Sequence, residues 1–287
     1  MTRVSLGWRL MIAAIARLPE RALSRLTGRV ALLTVPRFLR APVFRAFARS
    51  FGIRIDEAER ALEDYTSLDA FFVRRLRPGA RAWPRDPAMI ASPVDGRIGE
   101  FGHIEKGAAL QAKGQPYSLA QLLDSPVGQR FEGGDFITLY LSPSHYHRVH
   151  SPVSGTIPWT RWIPGALLPV NLAAIELVSD LFPRNERVVC WIDDASSAVA
   201  LVAVGAYNVG RITAAFDADS ATNRRGATAR TRSYDPAVRV ECGAELLTFH
   251  LGSTVILLFE PGRVRWTASV ARGSEVRLGQ GIASLAG

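Results

Sequence analysis

The chain contains few cysteines and no apolar run long enough to cross a membrane. Two cysteines in 287 residues, Cys190 and Cys242, are too few for a disulfide framework and indicate a reduced compartment. No uninterrupted run of about 18 apolar residues exists, so the sequence predicts no membrane span. Neither cysteine has a histidine beside it, which disfavours a cysteine nucleophile. The Gly-x-Ser-x-Gly elbow of many serine hydrolases is also missing.

Charge is distributed unevenly along the chain. Residues 1–50 contain ten arginines and one acid, Glu20, a net charge of 10 − 1 = +9. The remaining 237 residues hold 35 − 10 = 25 bases and 26 − 1 = 25 acids, so they are neutral. The body of the protein therefore has no charge excess of the kind that binds nucleic acid, and no nucleic-acid partner is expected.

The basic N-terminal segment also carries apolar residues at helical spacing. Such a pattern predicts basic amphipathic helices that lie on an anionic membrane surface. Three alternatives stay open: the apolar faces pack on the body, residues 10–16 form a short signal-peptide core, or the segment is a transit peptide. The pattern divides into an apolar stripe and a basic one: Leu23, Leu26, Val30 and Leu33 on one face, Arg21, Arg25 and Arg29 on another.

The sequence as a whole predicts an α+β fold. It has a helical N-terminal arm over residues 1–55 and a single β-rich body over residues 56–287. Residues 56–75 have a helical pattern, with Asp56 and Ser67 as candidate helix caps. From about residue 88 the sequence alternates short β runs with turns. The predicted strands are 135–142, 188–192, 198–204, 208–216 and 246–259, and the predicted intervening helices are 118–123 and 171–182.

One short sequence occurs twice. SPVDGRI at 92–98 returns as SPVSGTI at 151–157, with the same Ser-Pro-Val start and a glycine after a polar turn. The repetition predicts pseudo-symmetric hairpins that face each other, as in small barrel-sandwich modules. The alternative is a coincidence of two proline-initiated turns.

Polar residues that could take part in catalysis or bind a metal are concentrated in two places. The window HYHRVH at 145–150 holds three of the five histidines, which suggests a metal, yet no second cluster supplies converging ligands, and no metal is expected. The other interpretation is acid–base chemistry. The repeated turns would bring Asp95 close to His150, and Ser253 lies within an apolar strand. Together these three form a carboxylate–imidazole–hydroxyl set.

Several motifs, in order, resemble the phosphatidylserine decarboxylase family over about residues 60–260. The sequence LGST at 251–254 resembles the self-cleavage site of that family, and YLSPSHYHRVHSPVSG at 140–155 resembles its histidine motif. Further similar stretches are SLDAFFVRRLRPGAR at 67–81, SPVDG at 92–96, IPGALLPVN at 163–171, LFPRNER at 181–187 and VGAYNVGRI at 204–212. One departure is His145, where the family commonly has an aspartate.

The resemblance implies a self-processing enzyme. Ser253 would attack the carbonyl of Gly252, with His150 as the general base and Asp95 orienting it. The chain would divide into 1–252, the β chain, and 253–287, the α chain, and Ser253 would become a pyruvoyl cofactor. That group would form a Schiff base with phosphatidylserine, release carbon dioxide and yield phosphatidylethanolamine. His147 is the implied residue for substrate binding or proton transfer.

The same resemblance implies a place in phospholipid biosynthesis. The expected partners are phosphatidylserine, an anionic membrane surface and the two chains of one precursor, with a homodimer left open. The expected location is peripheral, on the cytoplasmic face of a bacterial cell membrane. Three alternatives compete: a pyruvoyl-dependent decarboxylase of a soluble amino acid, a non-catalytic membrane-anchored barrel-sandwich module, and a serine hydrolase that uses the same three residues.

Overall fold

The computed structural model describes residues 20–112, 115–170, 172–194, 197–207, 211–224, 226–250 and 253–285. The α-helices in these ranges are α1 (Glu20–Ala31), α2 (Arg37–Phe51), α3 (Leu68–Phe72), α4 (Leu119–Leu123), α5 (Leu172–Leu177) and α6 (Leu181–Arg184). Short 3-10 helices lie at Ile55–Glu57, Leu62–Asp64 and Pro126–Phe131.

The strands outnumber the helices, which confirms the α+β class. They are β1 (Met89–Ala91), β2 (Gly96–His103), β3 (Ala108–Ala112), β4 (Gln115–Ser118), β5 (Asp135–Leu141), β6 (Arg148–His150), β7 (Gly155–Ile163), β8 (Arg187–Asp193), β9 (Ala198–Gly205), β10 (Ile212–Ala214), β11 (Arg230–Val240), β12 (Glu245–Phe249), β13 (Ser253–Phe259), β14 (Val264–Trp266), β15 (Glu275–Val276) and β16 (Gly281–Leu285).

The largest sheet has eight strands in the order β11-β7-β8-β9-β13-β5-β2-β15. Two three-stranded sheets, β1-β16-β14 and β10-β12-β6, and the β3-β4 hairpin complete the architecture. Among the described strands, none of these sheets closes into a barrel, so the barrel-sandwich likeness is limited to the paired turns described below.

The large sheet separates two hydrophobic cores. Side chains alternate across β13, so Val255, Leu257 and Phe259 enter one core while Ile256 and Leu258 enter the other. The first core lies between the large sheet and the two small sheets, and the second lies under α4, α5 and α6. Burial on both faces explains why β13 is an unbroken apolar run after its first two residues.

The predicted elements in the body are largely confirmed. The strands predicted at 135–142, 188–192 and 198–204 are β5, β8 and β9, and the helix at 118–123 is α4. The helix predicted at 171–182 is two short helices, α5 and α6, and the strand at 208–216 is the three-residue β10. Residues 171 and 208–210 lie outside the described residues.

Two local predictions concern helix caps. The Ser67 hydroxyl accepts a hydrogen bond from the Ala70 N–H at 3.1 Å, which confirms it as the cap of α3. The cap predicted at Asp56 is wrong, because this residue lies inside a three-residue 3-10 helix instead of starting an α-helix. Residues 56–66 are held by turns and by packing on α2, for which helical propensity is a weak guide.

The single strand predicted at 246–259 is the most informative error. The chain forms β12 in a small sheet, leaves it at His250 and enters the large sheet as β13 at Ser253. The intervening Leu251 and Gly252 lie outside the described residues. Apolar alternation cannot detect such a change of sheet, because Leu247, Phe249 and the alternate residues of β13 all enter the same core.

The N-terminal arm, for which the amphipathic pattern predicted a series of helices, forms α1 and α2, and its residues 1–19 lie outside the described residues. Phe44 and Ala48 of α2 pack with Leu62, Tyr65 and Phe71 in a third, smaller core. The arm is therefore attached to the body through one face of α2. Other apolar side chains of the arm face outward. Within the described residues, no helix combines the length and the apolarity that a bilayer crossing requires.

The repeated Ser-Pro-Val turns face each other, as predicted. The Ala91 N–H donates to the Pro152 carbonyl at 3.0 Å, and the His150 N–H donates to the Pro93 carbonyl at 2.9 Å. The Ser92 and Ser151 hydroxyls each donate at 2.7 Å to the carbonyl two residues ahead. Identical local bonds and reciprocal cross-bonds make this a pseudo-two-fold element and not a coincidence of turns.

Each turn binds a second turn that contains a glycine with positive φ. The Gly243 N–H donates to the Ser151 carbonyl at 2.9 Å, and the Gly279 N–H donates to the Ser92 carbonyl at 3.0 Å. Both glycines are left-handed, with φ of +93° and +82°, and both approach the Trp83 ring. A Cβ on Gly243 would lie 2.9 Å from the Trp83 ring, so this position allows glycine alone.

We expect Gly243→Ala to destabilise the protein by about 1–3 kcal/mol more than Gly262→Ala does. Both variants place alanine at a left-handed φ, but Gly262 has no atom within 4 Å of the added carbon, so only Gly243→Ala meets the Trp83 ring. Urea denaturation of the two variants measures this difference. Equal losses of unfolding free energy would show that the Trp83 contact does not constrain the turn.

Candidate active site

Asp95 follows the first Ser-Pro-Val turn and is held as a buried carboxylate. Arg81 donates to both of its oxygens, from Nε at 2.9 Å and from Nη2, and the Leu278 N–H donates to Oδ1 at 2.8 Å. Arg81 Nη2 also binds Glu57 at 2.7 Å. Burial alone would raise the pKa of Asp95, but the Arg81 guanidinium and the Leu278 N–H stabilise the anion, and the net pKa is lowered.

His150 ends β6 beside the second Ser-Pro-Val turn. Its Nδ1 lies 2.7 Å from the Gly243 carbonyl, which can only accept, so Nδ1 carries the proton of the neutral ring. Nε2 is then the basic nitrogen, and the Tyr146 hydroxyl lies 3.3 Å from it. Burial lowers the pKa of His150, so the ring is neutral at pH 7 and able to accept a proton at Nε2.

The structure does not join Asp95 to His150 by a hydrogen bond in the described part of the chain. Arg81 takes both oxygens of Asp95, and the Gly243 carbonyl takes the nitrogen that the carboxylate was expected to orient. Against the effect of burial, the pKa of His150 is raised by the hydrogen bond to Gly243, then by the charge of Glu245, and least by the charge of Asp95. The backbone therefore orients the imidazole, and the carboxylate acts on it through space.

Ser253 is the first residue of β13, between Leu141 of β5 and Gly205 of β9. The residue is fully buried, and its hydroxyl has no hydrogen-bond partner among the described residues. A buried hydroxyl without a partner costs roughly 1–3 kcal/mol, so folding alone gives no reason to place a serine here. Gly252, the expected site of cleavage, lies outside the described residues.

His147 is also fully buried, against the Phe72 ring at 4.1 Å between ring centroids. Its Nδ1 donates to the His145 carbonyl at 2.9 Å, and its Nε2 has no partner in the described structure. Burial, together with the charge of Arg74, lowers the pKa of His147 to about 3. The ring is therefore a neutral base whose lone pair at Nε2 is available.

Three residues around these groups were not found from the sequence. Arg81 fixes Asp95, and Gly243 sets the tautomer of His150. Arg74 is 3 % exposed, stacks over the Phe71 ring at 5.6 Å, and has no hydrogen-bond partner for Nε and Nη1 among the described residues. The two arginines lie in the motif at 67–81, yet nothing in its spacing distinguishes them from the surface arginines beside them.

The three histidines of the 145–150 window do not converge on one point. The His145 ring accepts from the Ser142 N–H at 3.0 Å and contacts Glu275 at 3.2 Å, while His147 and His150 have the partners described above. In the ranges that the structure describes, no group of three or more His, Cys, Asp or Glu could hold a metal ion. Burial raises the pKa of both cysteine thiols, so neither is an activated nucleophile.

The fold and the site residues indicate which class of chemistry the protein supports. This is an α+β protein with a buried serine hydroxyl, unpaired among the described residues, where the chain changes sheet, and with two neutral histidines whose Nε2 atoms can accept a proton. Such a group of residues supports nucleophilic and acid–base chemistry within the protein interior, shielded from bulk water.

Comparison with known proteins identifies the family. The family model described as phosphatidylserine decarboxylase matches residues 68–284. Three similar proteins are each named phosphatidylserine decarboxylase proenzyme. The protein of Anaeromyxobacter sp. (strain K) is 44 % identical over 97 % of this chain and 99 % of its own length. That of Myxococcus xanthus is 42 % identical over 92 % and 94 %, and that of Methylococcus capsulatus is 40 % identical over 99 % and 99 %. The chain belongs to the phosphatidylserine decarboxylase family and is an enzyme of the lyase class.

We expect Arg81→Met to destabilise the protein by about 3–5 kcal/mol at pH 7, because it leaves the buried Asp95 carboxylate without its cation. The folded-state pKa of Asp95 is lowered, so the stabilisation is present above the unfolded pKa of about 4 and is lost as pH falls through the folded pKa. Urea denaturation at pH 7 and at acidic pH measures both effects.

Asp95→Asn combined with Arg81→Met provides the matched control, since it removes the unpaired charge. We expect the double variant to be more stable than Arg81→Met alone at pH 7. A loss in Arg81→Met no larger than in Arg265→Met, which changes an exposed arginine of β14, would contradict the pairing.

Proposed function

We propose that this protein is a phosphatidylserine decarboxylase that makes its own pyruvoyl group from Ser253. The supporting observation is the buried Ser253 hydroxyl at the junction where the chain changes sheet, which has no partner within the described ranges, in a chain of this family. The site residues and the two-chain organisation follow from that position and from the motifs that carry the resemblance.

The self-cleavage begins at Ser253. Its Oγ attacks the carbonyl carbon of Gly252, and His150 Nε2 receives the hydroxyl proton. The Gly252–Ser253 C–N bond breaks, the Ser253 nitrogen takes a proton, and an ester joins Gly252 to the Ser253 side chain. The charge of Asp95, fixed by Arg81, stabilises the imidazolium form of His150 that this transfer produces.

Elimination then completes the processing. Loss of the Ser253 α-proton breaks the Cβ–O bond of the ester, which releases the Gly252 carboxylate and leaves a dehydroalanine. Water hydrolyses the imine tautomer of this residue, and ammonia and a pyruvoyl group are the products. Full burial of residue 253 between β5 and β9 limits the access of water to the ester and the dehydroalanine.

The two chains would remain associated after cleavage. The small chain, 253–287, contributes β13, which pairs over seven residues with β5 on one side and over seven with β9 on the other. It also contributes β15 and β16, which pair with β2 and β1 of the large chain. Residues 56–287 would then be one catalytic domain in two chains.

The pyruvoyl carbonyl, once formed, supplies an electron sink for the loss of carbon dioxide from an amino acid headgroup. The fit is good, because residue 253 is fully buried and its hydroxyl has no competing hydrogen bond from the residues that the structure describes. His147 remains neutral at physiological pH, so its Nε2 can bind the substrate or move a proton during decarboxylation.

The N-terminal arm supports a membrane-bound substrate. Its exposed apolar side chains lie on α1, on α2 and in the turn between them, separate from the face that packs on the body, and arginines border them. A surface of this kind inserts into the headgroup region of an anionic bilayer. We place residues 1–55 on the cytoplasmic face of a bacterial membrane, and the pairing of two copies stays a prediction. The most exposed apolar residues are Leu26, Val30, Leu32, Leu33 and Phe38, at 56, 57, 52, 64 and 80 %.

The first test is the mass of the denatured protein, together with decarboxylation of phosphatidylserine. We expect two species, 1–252 and a pyruvoyl-blocked 253–287, and we expect Ser253→Ala to be a single inactive chain. Ser274→Ala, which changes a half-buried serine of the small chain that donates to the Ala271 carbonyl, is the control and should be processed normally. Full activity in Ser253→Ala would overturn the proposal. Activity on free amino acids alone would support the soluble-substrate alternative.

Variants of His147 and His150 should affect different reactions, decarboxylation and self-cleavage respectively. His150→Gln should remain a single chain, because the base for cleavage is lost. His147→Gln should be cleaved but should lose decarboxylation. A cleaved His150→Gln would remove His150 as the base, and an uncleaved His147→Gln would place His147 in the processing reaction.

For membrane binding we expect Leu33→Gln with Phe38→Gln to weaken association with anionic vesicles by about tenfold for each side chain removed from the bilayer. Leu110→Gln is the matched control, since Leu110 is an exposed apolar residue of the β3-β4 hairpin. Sedimentation with phosphatidylglycerol vesicles measures the change. Equal sedimentation of all three proteins would contradict the membrane role of the arm.

A further inference from the structure

A cavity of about 310 Å³ lies between the N-terminal arm and the body. Its volume is at the lower end of the range for small-ligand sites. One wall comes from α1, one from the loop after β10, and one from the segment that connects β12 to β13. The lining residues are Gly28, Arg29, Leu32, Asp69, Arg211, Ala221, Thr222, Asn223, Arg224 and His250.

Three arginines from three separate segments line this cavity: Arg29, Arg211 and Arg224. In the described part of the chain, none of them forms an ion pair with a carboxylate. The one acid in the lining, Asp69, accepts a hydrogen bond at 2.8 Å from Nδ1 of His250. The Arg224 guanidinium donates from Nη2 to the Asp219 carbonyl, which leaves its charge without a carboxylate partner among the described residues. Three such charges around one small volume create a positive potential that favours an anion.

The walls of the cavity are fixed by hydrogen bonds. The Ile212 N–H donates to the Thr222 hydroxyl at 2.9 Å, and the Thr222 N–H donates to the Ile212 carbonyl at 3.0 Å. The Asn223 N–H donates to Glu186 Oε2 at 2.8 Å. The loop that carries Arg224 is therefore held against the strand that follows Arg211, and the two arginines do not depend on a ligand for their placement.

The cavity also lies next to the cleavage segment. The His250 N–H donates to the Arg211 carbonyl at 3.0 Å, and His250 precedes Ser253 by three residues. Thr213 holds the other side of the His250 ring, with Oγ1 at 3.2 Å from Nε2. Elsewhere in the lining, Arg29 belongs to α1, whose exposed apolar residues face outward, and Leu32 lies in the turn that follows α1. The cavity is thus lined both by the N-terminal arm and by His250, which precedes Ser253 by three residues.

We propose that this cavity binds the phosphodiester of the glycerophospholipid substrate, with Arg29, Arg211 and Arg224 as its ligands; the proposal rests on the proposed function. Guanidinium groups bind phosphate oxygens through paired, charge-assisted hydrogen bonds, and three of them suit a group with two unesterified oxygens. The acyl chains would extend along α1 toward the bilayer, and the serine headgroup would extend past His250 toward residue 253.

In this arrangement Arg29 takes part both in membrane binding and in binding of the phosphate. As part of a basic amphipathic helix it attracts the anionic surface, and as a cavity residue it binds the phosphate of a single lipid. The enzyme would therefore complete its phosphate site only when α1 is seated on the body. A soluble amino acid has no phosphate and would gain nothing from this site, which makes the cavity a determinant of specificity for lipid substrates.

The test measures binding without catalysis. The Ser253→Ala chain, which cannot form a pyruvoyl group, is titrated with dihexanoyl phosphatidylserine below its micelle concentration, and heat is recorded. We expect Arg211→Ala and Arg224→Ala in this background each to weaken binding by about tenfold, the usual loss for a charge-assisted hydrogen bond. Arg211→Lys should give an intermediate loss, because lysine keeps the charge without the paired donors. Unchanged affinity in the Arg211→Ala, Arg224→Ala double variant would overturn the proposal.

The matched controls are Arg45→Ala and Arg265→Ala, exposed arginines of α2 and β14 outside the cavity. Arg45→Ala and Arg29→Ala should weaken vesicle binding to similar extents, while only Arg29→Ala should weaken binding of the soluble lipid. In the active enzyme, the cavity variants should raise KM for dihexanoyl phosphatidylserine and leave kcat and self-cleavage near wild type. A fall in kcat with KM unchanged would contradict a phosphate site.

Two further ligands identify the source of the phosphate. Glycerophosphoserine should compete with the lipid and lose affinity in the same variants, because it carries the same phosphodiester. Inorganic phosphate that binds as tightly as dihexanoyl phosphatidylserine would indicate a site for the free ion and would count against a lipid site. If the wild-type protein lacks decarboxylase activity but binds the lipid through these arginines, the proposed function fails and the phosphate site stands. If the protein is active but its lipid binding does not depend on the arginines, the phosphate site alone fails.

Discussion

The position of β13 between β5 and β9 is the constraint on which the other features depend. Seven residues pair on each side, and the alternate side chains fill two different cores, so the strand cannot shift by one residue without exchanging its faces. Ser253 is the first residue of this strand and is therefore fixed in depth and direction. The junction before it joins two sheets, which explains why an apolar segment is interrupted at this point.

The pseudo-two-fold element of the Ser-Pro-Val turns fixes the positions of Asp95 and His150 relative to each other. Its reciprocal backbone bonds place Asp95 after one turn and His150 before the other. The symmetry is structural and not chemical, because Asp95 binds an arginine and His150 binds a backbone carbonyl. The same framework thus supplies a fixed anion on one side and a neutral base on the other.

Burial decides the protonation states in this region. It lowers the pKa of both His147 and His150, and it would raise the pKa of Asp95 if Arg81 were absent. The bases are therefore neutral and the acid is ionised at physiological pH, as nucleophile activation requires. The basic arm and the arginines of the cavity beneath it add positive charge between this interior region and the expected membrane surface.

The sequence by itself determined the fold class, most strands of the body, the repeated turns, the amphipathic arm and the family. These features depend on local periodicity and on short motifs, which a linear pattern records directly. Only the tertiary structure decided that 246–259 changes sheet and that Gly243, not Asp95, binds the His150 ring. It alone placed Arg81 on Asp95 and three separate arginines around one cavity. Those relations join residues far apart in the chain through burial and competing hydrogen bonds, and no local pattern carries that information.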